Sequence, residues 1–256
     1  MNTRTQIIED LYRLGVKPGD VMLMHSSMKS LQTTETPEYV LDSIQEALGE
    51  NGTLCLPALS YATVNQENPY WDYYKTPACV GLLPETFRHL PNVYRSLCPT
   101  HSVCARGKLG REITLGQEKD DTPVGINSPY RRLPALHGKI LMLGCTMAPM
   151  TFMHGMEEMA KLPYVFLPEP WLYHMTDADG RQYDTYMYRH GMNRFGAQHY
   201  IRLTEVLPPE AMLRGKVLNA DCYLVDTEIM QKVAQECMAK DTYFFLTLRP
   251  DAPIVK

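Results

Sequence analysis

At 256 residues, with 45% hydrophobic and 21% charged side chains, the chain can bury one large core or two small ones and has the make-up of a globular protein. A net charge of −4 excludes the basic stripe of a dedicated nucleic-acid binder, and no apolar run approaches the length of a membrane span. Seven cysteines, odd in number and never at CxxC spacing, argue against a disulfide framework or a zinc finger. The charged, amphipathic opening Met1–Gly15 is no signal peptide, so a reduced, cytoplasmic protein is expected.

Ile7, Ile8, Leu11 and Leu14 recur at helical spacing and Gly15 stops the run, which predicts a helix over 3–14. Gly19-Asp20 turns into Val21-Met22-Leu23-Met24, a short apolar run that reads as a buried strand ending in His25-Ser26-Ser27. Thr36-Pro37-Glu38 starts a second helix with Val40, Leu41, Ile44, Ala47 and Leu48 on one face, closed by Gly49. Thr53 to Leu56 is another strand, ending at Pro57, and Lys139 to Gly144 a third, followed by a helix from about Thr151. Residues 60–80 and 118–129 read as long loops, which often carry function. Beyond Pro163, Trp171–Thr176 and Tyr183–Tyr188 flank an Asp177–Gly180 turn as a β-hairpin. A helix over 226–240 and a terminal strand over 243–248 close the chain.

This alternation predicts an α/β fold with a mainly parallel central sheet, flanking helices and an additional antiparallel β portion in the C-terminal part. A single domain over 1–256 is the preferred division, with a possible subdivision near 163 into 1–163 and 164–256.

Among the eight histidines, His89, His137, His174 and His199 have no reactive company and read as surface or loop residues. His154 lies in Thr151-Phe152-Met153-His154-Gly155-Met156-Glu157-Glu158, just past a strand end, where α/β sheets place their ligand crevices. On a helix, Glu157 and Glu158 share its face. A carboxylate beside an imidazole fixes its tautomer and raises its basicity, as a general base requires. A solvated surface histidine beside two glutamates gives the same spacing, and that alternative stays open. No metal is expected, because HxxE lacks the second histidine of HExxH.

His25 precedes Ser26, Ser27, Met28, Lys29 and Ser30, whose hydroxyls and free amides suit a phosphate or amide group, or only cap the turn. His101 stands between Cys98 and Cys104, but residues so close along an extended strand seldom face one another, and Cys104 reads as core. Tyr188-Arg189-His190 is a basic cluster that meets an anion or is solvated. Walker A, GxGxxG and GxSxG patterns do not occur.

Several short blocks, taken in order, are similar to those of the aminoglycoside 3-N-acetyltransferase family. They are Leu14 to Asp20 with His25-Ser26-Ser27, Leu48 to Leu54 with Pro57 to Tyr61, and Thr76-Pro77 with Gly81 to Glu85. Arg95-Ser96, Pro99 to Ser102, Ser128-Pro129-Tyr130 and Thr151 to Glu157 follow. The resemblance implies acetyl transfer from acetyl-CoA to an amine by direct attack, on a fold other than that of the GNAT acetyltransferases. It aligns His154 with the family's catalytic histidine and Glu157 with the acid after it.

By the same resemblance, Ser26, Ser27, Met28, Lys29, Ser30, Thr100, His101, Ser102 and Val103 would hold the coenzyme, within a coenzyme-binding and catalytic part before residue 163. Tyr61, Asp72 and His190 would meet the acceptor, with residues 164–256 on the substrate side. The expected partners are acetyl-CoA and a small amine, with no nucleic acid, membrane or metal, acting as a monomer or homodimer. One departure concerns the acceptor. Relatives that acetylate polycationic aminoglycosides line the cleft with acids, whereas this chain offers Arg189, His190 and Arg194, which would repel a polycation unless paired or turned away.

Overall fold

The structure is a computed structural model and describes residues 2–253. Along β1 (Val21–Ser26), Val21 and Leu23 enter one hydrophobic core and Met22 and Met24 the other. A strand whose successive residues Val21 to Met24 are all apolar has to be covered on both faces. β1 runs parallel to β2 (Thr53–Pro57) and to β6 (Lys139–Leu143). Beyond β6, β11 (Ala220–Asp226) is antiparallel and carries β10 (Met212–Val217). Beyond β2, β5 (Val103–Gly107) is antiparallel and carries β4 (Tyr94–Arg95). The outcome is a seven-stranded sheet with a parallel centre and antiparallel edges. Two of its strands come from beyond Pro163, so the sheet draws on both sides of that point.

Helices cover both faces. α1 (Thr3–Leu14), α2 (Pro37–Leu48) and α3 (Leu82–Phe87) bury Ile7, Leu11, Val40, Ile44 and Phe87 on one. On the other, α4 (Gly110–Thr114), α5 (Pro129–Arg132), α6 (Phe152–Met159), α7 (Leu203–Val206) and α8 (Thr227–Lys240) bury Ile113, Tyr130, Met153, Leu203 and Met230. The first two helices begin where side chains cap them: Asn2 accepts from the Thr5 amide and Thr36 from the Tyr39 amide. No helix among the described residues is long and apolar enough to cross a membrane.

The hairpin of β7 (Trp171–Thr176) and β8 (Gln182–Met187) forms as expected, but it gains a third strand. β3 (Tyr70–Asp72), inside the stretch read as loop, pairs in parallel with β7, because Trp71 packs with Tyr173 and Met175. The terminal strand is shorter than expected: β12 (Leu246–Leu248) pairs with β9 (Gly196–Gln198), while 243–245 form a turn.

The cleft-forming loops are tied to the sheet by Arg95, 5% exposed. Its guanidinium donates to the carbonyls of Ala58, Tyr73 and Thr76 and to Ser102 Oγ, and lies 4.8 Å over the Trp71 ring. No carboxylate is in that set, so carbonyl dipoles and the ring carry the solvation of the charge. Arg95→Met would leave the buried Thr76 carbonyl and the part-buried Tyr73 carbonyl without their donor, while Ala58 keeps the Ser102 hydroxyl, and is expected to cost about 2 kcal/mol. An unchanged urea midpoint in this variant would contradict the assignment.

Candidate active site

The carboxyl ends of β1 and β2 and the segment after β6 open into one cleft of about 400 Å3. His25 and Ser26 end β1, Pro57 ends β2, and Cys145, Ala148 and Pro149 follow β6. Such crevices form where parallel strands deliver their chains and the following segments diverge. Gly144 permits the first bend out of β6: its φ is +67°, and a Cβ there would lie 2.4 Å from that of Ser30.

His154 reaches the cleft from the first turns of α6, its side chain 12% exposed. Behind it lies Glu157, with no exposed surface, three residues along the same helix. The two do not bond directly, since Nδ1 and Oε2 are 3.6 Å apart. Tyr200 joins them: its hydroxyl donates to Glu157 Oε2 at 2.6 Å and stands 3.0 Å from His154 Nδ1. Tyr164 donates to the other carboxylate oxygen at 3.1 Å. A carboxylate only accepts, so the Tyr200 proton points at Glu157, and the hydroxyl oxygen is left to accept, from Gln198 Nε2 at 3.1 Å and from His154 Nδ1–H. That favours the tautomer with Nε2 as the basic nitrogen; the Gln198 amide nitrogen lies 3.2 Å from Nδ1 and 3.5 Å from Nε2. Burial, then the carboxylate beside it, raises the Tyr200 hydroxyl well above its ordinary range.

Glu158, the other glutamate on this helix, serves a different ring. Its Oε1 lies 2.7 Å from His190 Nε2 and accepts from the Val124 amide at 2.9 Å. Burial pushes Glu158 up to about 7 and His190 well down, with His154 and then Arg189 adding to the latter. His190 is therefore a largely enclosed ring that meets the Glu158 carboxylate, and not a solvated member of a basic cluster. His101 also lines the cleft, its Nδ1 held 2.9 Å from Thr100 Oγ1; burial and then His190 lower its pKa. His25 is pushed down to about 3 by burial and by His154, and its Nε2 is buried without a partner, as is Ser26 Oγ.

Of the residues singled out in the sequence, His25, Ser26, Tyr61, Thr100, His101, His154, Arg189 and His190 meet at this cleft, with Glu157 just behind. The others do not line it. Ser27 and Ser30 are spent on the chain itself: the Ser30 hydroxyl bonds Ser27 Oγ and the Gly144 carbonyl, and with Met28 and Lys29 they form a turn after β1. Ser102 is fully buried between Arg95 and the Ala58 carbonyl, and Val103 is core. Asp72 lies in a separate cleft with Asp184 and His174, where its carboxylate caps the Tyr74 and Lys75 amides. Arg194 is turned away, bonding the Phe166 carbonyl and lying over Phe195, whereas Arg189 stays at the cleft, stacked 4.7 Å over Trp171.

The sequence reading missed Tyr200, Gln198 and Tyr164. The first two arrive on the segment that β9 holds against β12, a long-range pairing with no local signal. Tyr200→Phe would leave a buried carboxylate oxygen without its donor and is expected to lower stability by about 2 kcal/mol. Chemical denaturation showing no loss would mean that Glu157 does not depend on this bond.

The sequence profile of the aminoglycoside 3-N-acetyltransferase family matches residues 23–239. Aminoglycoside N(3)-acetyltransferase VII of Streptomyces paromomycinus is 31% identical over 179 residues, which cover 63% of this chain and 62% of that one. The match thus spans less than two thirds of that relative's length. Among solved structures, a histidine-to-alanine mutant of aminoglycoside acetyltransferase AAC(3)-IVa in complex with a gentamicin superposes with a TM-score of 0.82 at 27% identity, covering 98% of this chain and 93% of that one. AAC-IIIb, solved as a binary complex with CoASH, shares the fold, with a TM-score of 0.81 at 22% identity over 97% and 99% of the two chains.

Proposed function

This chain belongs to the aminoglycoside 3-N-acetyltransferase family, and on that footing we propose that it moves an acetyl group from acetyl-CoA to the 3-amino group of an aminoglycoside, in the cytoplasm. His154 is the general base. The observation that carries this reading is the His154–Tyr200–Glu157 chain, which sets an imidazole at the cleft with only the Gln198 amide, 3.5 Å away, near its Nε2. The uncharged amine attacks the thioester carbonyl carbon while His154 Nε2 removes its proton. The C–S bond then breaks and the coenzyme leaves as thiolate, which takes up a proton. Ser26 Oγ, buried at the cleft with no partner of its own, is the hydroxyl we assign to the developing oxyanion. The coenzyme enters over the β1 turn and the Thr100-His101 segment, and Tyr61 and His190 face the acceptor.

One observation favours a second acceptor class. Among the described residues that line the cleft there is no aspartate or glutamate, and Arg189 is present. A small amine bearing an anionic group suits that lining better than a polycation does.

His154→Ala is expected to lower kcat by about a hundredfold or more with little change in KM for acetyl-CoA. Ser26→Ala should cost about a hundredfold through the oxyanion, and Cys104→Ala, a change within the core, should leave thiol release intact. Wild-type rates in His154→Ala would overturn the mechanism. A panel of aminoglycosides against amines carrying carboxylate or phosphate, read by coenzyme release, decides the acceptor. Turnover confined to the anionic amines would remove the aminoglycoside reading and keep the reaction class.

A further inference from the structure

Three imidazoles meet in the cleft from three separate parts of the chain. His101 comes from the segment before β5, His154 from α6, and His190 from the segment after β8. The ring centroids of His101 and His154 are 5.6 Å apart, those of His101 and His190 4.9 Å, and those of His154 and His190 4.5 Å. One nitrogen from each lies within 4.8 Å of the others. We propose that His101, His154 and His190 form a binding site for a divalent cation of the zinc class, and that an ion held there takes His154 out of the acyl-transfer reaction.

Zinc–imidazole bonds of about 2.0–2.1 Å in a tetrahedral set put ligand nitrogens about 3.4 Å apart. The nitrogens here, within 4.8 Å of one another, would have to close by about 1.4 Å at most to reach that spacing. What distinguishes this cluster from three neighbouring rings is that the other nitrogen of each ring is already occupied. His190 Nε2 meets Glu158 Oε1 at 2.7 Å, His101 Nδ1 meets Thr100 Oγ1 at 2.9 Å, and His154 Nδ1 meets the Tyr200 hydroxyl at 3.0 Å, with Glu157 beyond it. Outer partners of this kind fix the tautomer and orient the ring in metal sites. Three imidazoles favour zinc, cobalt, nickel or copper over magnesium or calcium, and a fourth position faces the open cleft for water. No local motif announces the site, because its members are far apart in sequence.

Binding does not depend on the proposed function; the block on turnover rests on His154 being the base. The test uses the full chain, freed of metal by dialysis against a chelator. Zn2+ is titrated in competition with a chromophoric chelator, and Co2+ serves as the spectroscopic probe. One ion per chain is expected, with cobalt d–d bands and no thiolate-to-cobalt charge-transfer band. His190→Ala should weaken Zn2+ binding by more than about 100-fold, and Glu158→Gln, which removes the charge of the outer partner, by about 10–100-fold. Failure to compete with the chelator, a thiolate band, or wild-type affinity in His190→Ala would overturn the site. Zn2+ should also stop acetyl transfer, and EDTA should restore it. Stoichiometric binding at the histidines with undiminished turnover would refute the block and with it the role of His154 as base, while the ion site stood.

Discussion

A carboxylate with no exposed surface must find hydrogen-bond donors inside the protein, and Glu157 finds them in Tyr164 and Tyr200. The arrangement of the cleft follows from that requirement. Tyr200 can reach Glu157 only if the segment after β9 is held against the helix layer, which the pairing of β9 with β12 achieves. Once the Tyr200 proton is committed to the carboxylate, its oxygen can only accept, from Gln198 Nε2 and from His154 Nδ1–H, and this favours the tautomer with the proton on Nδ1. The basic nitrogen at the cleft is thus set by a chain of donors that begins in the core.

A second constraint is electrostatic. Four histidines line the cleft, and burial disfavours the charged form of His25, His101 and His190. The site is therefore far less cationic than its residue types suggest. Arg189 is the cation that remains, pinned over Trp171, and Glu158 is absorbed by His190 and the Val124 amide. A lining in which burial disfavours the charge on three rings, with one fixed cation, serves proton removal from an amine, and such rings offer lone pairs to a metal.

Much of the fold was legible because local physics decides it. α1 and α2 carry helical apolar spacing between a capping side chain and a glycine, and β1, β2 and β6 are apolar runs bounded by turns. β10 was not legible: Leu213 to Lys216 are exposed at the sheet edge, so the strand shows no apolar face. β3, β9 and β12 have three residues each and exist through distant pairing. In the site, the spacing of His154 and Glu157 was visible, but the tyrosine between them was not. His190 looked like part of an exposed basic cluster because nothing nearby in sequence reveals that Glu158 packs against it.

The central claim is that Tyr200 and Glu157 hold the proton of His154 on Nδ1 and leave Nε2 bare. Nitrogen-15 NMR of the histidine-labelled protein at neutral pH, with His154 assigned by substitution, reads the tautomer directly. The account predicts a pyrrole-type Nδ1 and a pyridine-type Nε2 for His154. The opposite pattern, with the proton on Nε2, would contradict it.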